Sequence, residues 1–266
     1  MDWMRAVRKA GSVATAFRRG GVRGVASSIV RRFRRPSAAG SKATWEGGVP
    51  SEVEFWDKYL EARGGTEWAG DFDRRLDPNL PLQPRPAALL PKQAEIRILD
   101  VGAGPLTYLG KLHEGRPLHI TAVDPLASDY AKVLARHGIE PLVRTQAGAA
   151  EELTSKFPPD SFDFVFARNC IDHSYDPFAA INEMIAVVKQ GRYVLLEHRV
   201  NEGATEHYAG LHQWDFSVAA NGDFVIASRG AQVNVTRKCE AICDIACEVV
   251  AGNDDGEWLI TRIRKK

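Results

Sequence analysis

From residue 96 to residue 200 short apolar runs alternate with stretches whose apolar residues return every three or four positions. The first run, Ile96-Arg-Ile-Leu-Asp-Val101, ends in glycines and reads as a buried strand followed by a tight turn. A helical segment over 106–113 and a strand over His119–Asp124 follow. The alternation then predicts a helix over 126–137, a strand over 141–144, a helix near 150–155, a strand over Phe162–Ala167, a helix over 177–189 and a strand over Tyr193–Glu197. Upstream stand a helix around Ser51–Arg63 and a Pro-rich passage from Asp77 to Pro91. Downstream, 245–250 and 257–263 read as strands joined by a turn over Gly252–Gly256, which suits an antiparallel edge pair. Strands and helices alternating at this spacing imply right-handed crossovers and a parallel sheet covered on both faces. The expected fold is a doubly wound, Rossmann-like α/β domain. Its seven-stranded sheet carries a terminal antiparallel pair, and a small lid is inserted over about 199–231.

Charge divides this picture in two. The whole chain has a formal net charge of +1, yet residues 1–46 carry eleven basic side chains against Asp2 and Glu46, leaving −8 on residues 47–266. In the basic part Trp3, Met4, Val7, Val13 and Phe17 recur at helical intervals among Arg and Lys. Such a segment suits an anionic membrane surface. It equally suits a solvated extension weakened by Gly20, Gly21 and Gly24, or an organellar transit peptide. Residues 36–50 read as a linker, leaving 47–266 as the folded domain. A hydrophobic content of 44% is that of a globular protein. Without a long apolar run, a secretory pattern or a disulfide framework, the expected location is cytoplasmic, at most peripheral at the inner membrane surface. An acidic-leaning body gives no reason to expect a nucleic-acid partner.

The chemistry begins at Leu99-Asp-Val-Gly-Ala-Gly-Pro-Leu-Thr107. Gly102 and Gly104 permit a tight turn and close backbone approach to a ligand. Thr107 stands where a dinucleotide fingerprint would have its third glycine. Asp100 precedes the glycines, and Asp124, ending the second strand, can accept both ribose hydroxyls of an adenosine ligand. A nicotinamide-dependent oxidoreductase would share these features.

The region 90–265 resembles the class I S-adenosylmethionine-dependent methyltransferases, whose acidic-x-Gly-x-Gly-x-Gly motif appears as Asp100-Val-Gly102-Ala-Gly104-Pro-Leu106. The resemblance implies that S-adenosylmethionine is the cofactor, with its methionine portion on the Gly102–Gly104 turn and its ribose on Asp124. The family's Gly-Asp-Ala-Glu motif stands here as Gly148-Ala149-Ala150-Glu151, which shifts the adenine contacts to the backbone near Ala150. Asn169, closing the fourth strand, is counted with the cofactor residues. The segments Asp172-His-Ser-Tyr-Asp-Pro177 and His212-Gln-Trp-Asp-Phe216 are similar to those of methyltransferases of glycan and natural-product assembly. A small-molecule or glycan acceptor is implied, with O-methylation as the leading expectation. N- or C-methylation and a non-catalytic scaffold are the alternatives. Arg168-Asn169-Cys170-Ile171 lacks the Asn/Asp-Pro-Pro-aromatic run of base N-methylating relatives.

A hydroxyl acceptor needs a general base, for which histidine suits neutral pH. His173 and His198 should project at the carboxyl ends of the strands, where ligands bind in open α/β sheets. Asp172, or Asp176 a turn further on, could orient the imidazole. The candidate catalytic residues are therefore His173, His198 and Asp172. In the insertion, Glu202, Tyr208, His212 and Trp214 suit recognition of a sugar or polyol, and a hairpin is expected at Asn221-Gly222. His198, Glu202, His207 and His212 match no compact metal-ligand spacing, so no metal is expected. Cys239, Cys243 and Cys247, four apart, would form one buried stripe on a helix.

Overall fold

The computed structural model describes residues 41–252 and 256–266. The reading of the basic extension falls almost wholly on residues 1–40, outside the described residues. Among the described residues no helix is long and apolar enough to cross a membrane.

Seven strands form the central sheet: β1 (Arg97–Val101), β2 (His119–Asp124), β3 (Gln146–Ala147), β4 (Phe162–Arg168), β5 (Val188–Arg199), β6 (Cys243–Ala251) and β7 (Glu257–Lys265). Their order across the sheet is β6-β7-β5-β4-β1-β2-β3. All neighbours pair in parallel except β7, which runs antiparallel to both β5 and β6. The chain winds outward from β1 to β3, then returns to β4 beside β1. That reversal opens a crevice at the carboxyl ends of β1 and β4.

Alternation along the strands divides the core. Leu99, Val101, Val165 and Leu196 face one side, packed against Ile181, Met184 and Ile185 of the helix Pro177–Val187. Ile98, Phe164, Phe166, Leu195 and Ile260 face the other. Side chains buried on both sheet faces contribute about 1.5–3 kcal/mol each.

Four expectations change. The segment 106–113 is not a helix; its backbone groups turn to the preceding chain instead. Lys111 N and Leu112 N donate to Leu80 O, and Leu82 N donates to Leu112 O. Gly110 is the residue that allows this, since a Cβ there would stand 2.0 Å from Pro81 O. The strand expected at 141–144 lies instead at Gln146–Ala147. The supposed linker is the first half of a helix, Lys42–Glu61, begun by Ser41, whose hydroxyl accepts from Thr44 N. Gly48 lets this helix press on the insertion, since a Cβ would lie 2.8–2.9 Å from the backbone of Gly210. The cysteines do not share a helix. Cys239 ends the short helix Val235–Cys239, whereas Cys243 and Cys247 lie in β6, paired across to Lys265 and Thr261. Ile245, Val249 and Val250 favour the extended edge over a helix.

The insertion contains a three-stranded antiparallel sheet of Asp215–Val218, Phe224–Ser228 and Ala231–Asn234. The hairpin turns at Asn221-Gly222, with Gly222 at φ 86°. Phe216, Phe224 and Ile226 join the main core, so this sheet is anchored rather than free-standing.

Candidate functional site

The reversal between β1 and β4 sets two loops side by side. After β1, Gly102 and Gly104 take left-handed conformations, φ 66° and 63°. Gly102 N donates to Val123 O, and Thr145 Oγ1 donates to Gly104 O. A Cβ on Gly102 would meet Cys170 Sγ at 2.5 Å, and one on Gly104 would meet the Trp56 ring at 2.8 Å. Both glycines are thus required by close neighbours as well as by φ. Asp124, at the end of β2, accepts from Gly104 N at 3.2 Å and from Leu126 N at 2.8 Å. Burial pushes its carboxyl up to about 7 against the pull of those two amides. Asp100 does not reach the opening. Its carboxylate is buried against the Thr107 hydroxyl, and burial pushes it up to about 6.

These elements bound a cleft of about 250 Å³, walled by Gly102, Gly104, Asp124, Ala150 and Asn169. Its roof is the helix Lys42–Glu61, which contributes Trp45, Glu52 and Trp56, together with Leu211 of the insertion. Trp56 Nε1 donates to Glu52 Oε1 at 2.9 Å. Tyr130 closes the wall beside Asp124.

On the far side of the cleft lies a cluster of imidazoles and carboxylates. His173 is on the cleft wall, and its Nε2 is 3.0 Å from His212 Nδ1. Asp172 Oδ2 stands 3.4 Å from His173 Nε2 and 3.6 Å from His212 Nδ1. Glu202 Oε1 stands 3.9 Å from His212 Nδ1 and accepts from Asn169 Nδ2. Asp172 is buried, which opposes ionisation, but His173, His212 and His198 outweigh that and hold its carboxyl below the usual range. Burial and the nearby Asp172 push Glu202 up. Burial opposes a charge on His212 too, yet Asp172 and Glu202 drive it up. His173 is lowered, chiefly by burial.

The other expected residues lie elsewhere. His198 is buried behind the β4 loop, and its Nε2 accepts from Ile171 N at 3.0 Å and Cys170 N at 3.4 Å. It positions that loop and does not reach the cleft. Asp176 caps the helix Pro177–Val187 by accepting from Ala179 N, so it does not orient His173. Tyr208 donates to Asp215 Oδ2, and Trp214 Nε1 donates to Ser174 O; neither lines the cleft. Neither Glu202 nor His212 lines the cleft: His212 touches the lining residue His173, and Glu202 the lining residue Asn169. Glu52, Trp56 and Tyr130 were not singled out from sequence. The available signal was a helix carrying Trp45, Glu52 and Trp56, part of which reads as a linker.

Residues 99–196 match the family model described as a methyltransferase domain. That match identifies a methyltransferase domain within residues 99–196. Among solved structures it is similar to the [4+2]-cyclase SpnF, at 15% identity over 84% of this chain and 96% of that one, with a TM-score of 0.50. It is also similar to the 1,6-didemethyltoxoflavin-N1-methyltransferase of Burkholderia thailandensis, at 16% identity over 88% and 93%, TM-score 0.48. A third is phosphoethanolamine N-methyltransferase 2 of Haemonchus contortus, at 17% identity and TM-score 0.45. That match covers 67% of this chain and 50% of the Haemonchus enzyme, so the chain spans about half that protein's length. At such identities the shared property is the fold, which hosts more than one chemistry.

The residues of the cleft fit S-adenosylmethionine. Asp124 is a buried carboxylate held at a ligand-facing strand end, and donors from ribose hydroxyls would favour its charged form. The Gly102–Gly104 turn and the wall at Ala150 and Asn169 complete the place for the cofactor. Nothing fits a pyrophosphate in the same way, because no helix N-terminus follows the glycine turn.

Proposed function

We propose that this methyltransferase methylates a hydroxyl of a small polar acceptor such as a sugar or polyol, and that the His173–Glu52 pair takes the acceptor's proton. The observation that supports this reading is the position of His173. Among the described residues lining the cleft it is the one imidazole, and it shares that cleft with Asp124 and the glycine turn. Its Nδ1 is 4.0 Å from Glu52 Oε2, so two proton acceptors stand together where the wall meets the roof. Bound S-adenosylmethionine supplies a methyl group on a sulfonium, an activated leaving group. The work left to the protein is orientation and removal of one proton. Trp45, Trp56 and Tyr175 give the cleft aromatic surface for an apolar ring face, while Glu52 and Asn169 offer polar partners for hydroxyls. The acceptor O–H proton passes to the His173–Glu52 pair as the oxygen gains the methyl group.

The test is transfer of labelled methyl to a panel of sugars, polyols and amines. O-methylated products are expected. His173→Ala should lower turnover by roughly 10²–10⁴ while leaving S-adenosylhomocysteine affinity unchanged. An N-methylated product or an unchanged rate would overturn the proposal.

A further inference from the structure

We propose that Asp172, His173, Glu202 and His212 bind one divalent metal ion of the zinc type beside the methyl-transfer cleft. Each residue offers one ligand atom, and these four atoms lie within 4.8 Å of one another. A zinc ion about 2.0–2.1 Å from four tetrahedral ligands places those ligands roughly 3.3 Å apart. The separations in the structure are close to that: 3.0 Å between the imidazole nitrogens, 3.4 and 3.6 Å from them to Asp172 Oδ2, and 3.9 Å from His212 to Glu202. Two imidazoles and two carboxylates suit zinc better than calcium or magnesium, which prefer all-oxygen sites.

A second observation points to a ligand. Neither oxygen of Asp172 has a hydrogen-bond partner, nor has Glu202 Oε2, although both side chains are 2% exposed. Buried carboxylate oxygens are rarely left so, because an unsatisfied charged group is expensive to bury. A cation at the centre of the four would satisfy them together. An outer shell is present as well: Asn169 Nδ2 donates to Glu202 Oε1, and His198 holds the backbone of Ile171 next to Asp172. Metal ligands are commonly oriented by such partners. The set was hidden from spacing arguments because it joins a β4 loop to an insertion about thirty residues away. Two of the histidines that spacing would consider fall out: His198 faces the loop backbone, and His207 is exposed.

The metal would bear on the proposed reaction through His173. With Nε2 coordinated, the ring proton sits on Nδ1, facing Glu52, and Glu52 becomes the proton acceptor of the pair.

The full chain, dialysed against a chelator, is titrated with Zn²⁺ by calorimetry and with Co²⁺ by visible absorption. One equivalent per chain is expected, with the absorption of a four-coordinate nitrogen–oxygen site for Co²⁺. His212→Ala and Glu202→Gln should each weaken binding roughly 100-fold or more, at least the loss seen for outer-shell partners. His207→Ala should leave it unchanged. Binding of S-adenosylhomocysteine, measured on the same samples, confirms folding and keeps this test separate from the methyl-transfer proposal. Absence of Zn²⁺ binding by the wild-type chain, equal binding by His212→Ala, or loss of binding in His207→Ala would overturn the site.

Discussion

Gly102→Ala places a methyl group where the β1 and β4 loops touch. Two costs follow from the geometry. Alanine at φ 66° enters the left-handed region, at about 1–2 kcal/mol. Its Cβ would also stand 2.5 Å from Cys170 Sγ and 2.6 Å from Cys170 Cβ, an overlap that demands repacking of about 1–3 kcal/mol. The substitution should therefore destabilise by roughly 2–5 kcal/mol, a large share of a typical domain's 5–15. Only the second cost belongs to Cys170. Cys170→Gly removes both crowding atoms, since the Cα is 4.0 Å away. In that background Gly102→Ala should cost about 1–3 kcal/mol less. Urea unfolding of the four variants of this double-mutant cycle reads the difference, provided the dependence on urea is unchanged. Equal cost in both backgrounds would refute the claim that the two loops are in contact here.

Other perturbations probe different links. Glu197 is buried between Arg85 and Arg168, and Arg168 lies between the rings of Tyr108 and Trp258 at 4.4 and 4.2 Å. Glu197→Ala should cost about 1.5–3 kcal/mol in thermal or urea unfolding, because the two arginines it leaves keep partial access to water, and a loss below about 1 would show the pair to be dispensable. Burial pushes the Asp124 carboxyl up to about 7 in the folded chain, above its ordinary value, so the native state holds the extra proton between the two and the stability this group contributes is lost as pH rises through 7. Relative to wild type, Asp124→Asn should gain stability between pH 5 and pH 8, and a flat difference would refute the shift. For the membrane reading of the basic extension, the full chain would bind anionic vesicles and lose that binding, with methyl transfer spared, on removal of residues 1–40; equal vesicle binding with and without those residues would refute that reading.

Periodicity carried most of the fold. Ile96–Val101, His119–Asp124 and Phe162–Ala167 read as strands because both faces of a parallel sheet are buried, which leaves an unbroken apolar run. The same logic misled at 106–113, where Leu106, Leu109 and Leu112 have helical spacing but the backbone is claimed by Leu80 and Leu82. No local pattern reports such a non-local partner. The site divides along the same line. Gly102, Gly104 and Asp124 were legible because turn and strand end dictate where they point. The roof at Glu52 and Trp56 was not, since it depends on a helix docking through Gly48 onto Gly210 and Leu211. The pairing of His173 with His212 was equally invisible, because only the tertiary fold brings residues from two loops to 3.0 Å.

The crevice between β1 and β4 is expected to hold S-adenosylmethionine. Calorimetric titration of the full chain with S-adenosylhomocysteine and with NAD tests it most directly. Binding of one equivalent of S-adenosylhomocysteine, weakened by Asp124→Ala and unmatched by NAD, is the expected result. No binding of the sulfur compound, or equal binding of NAD, would contradict it.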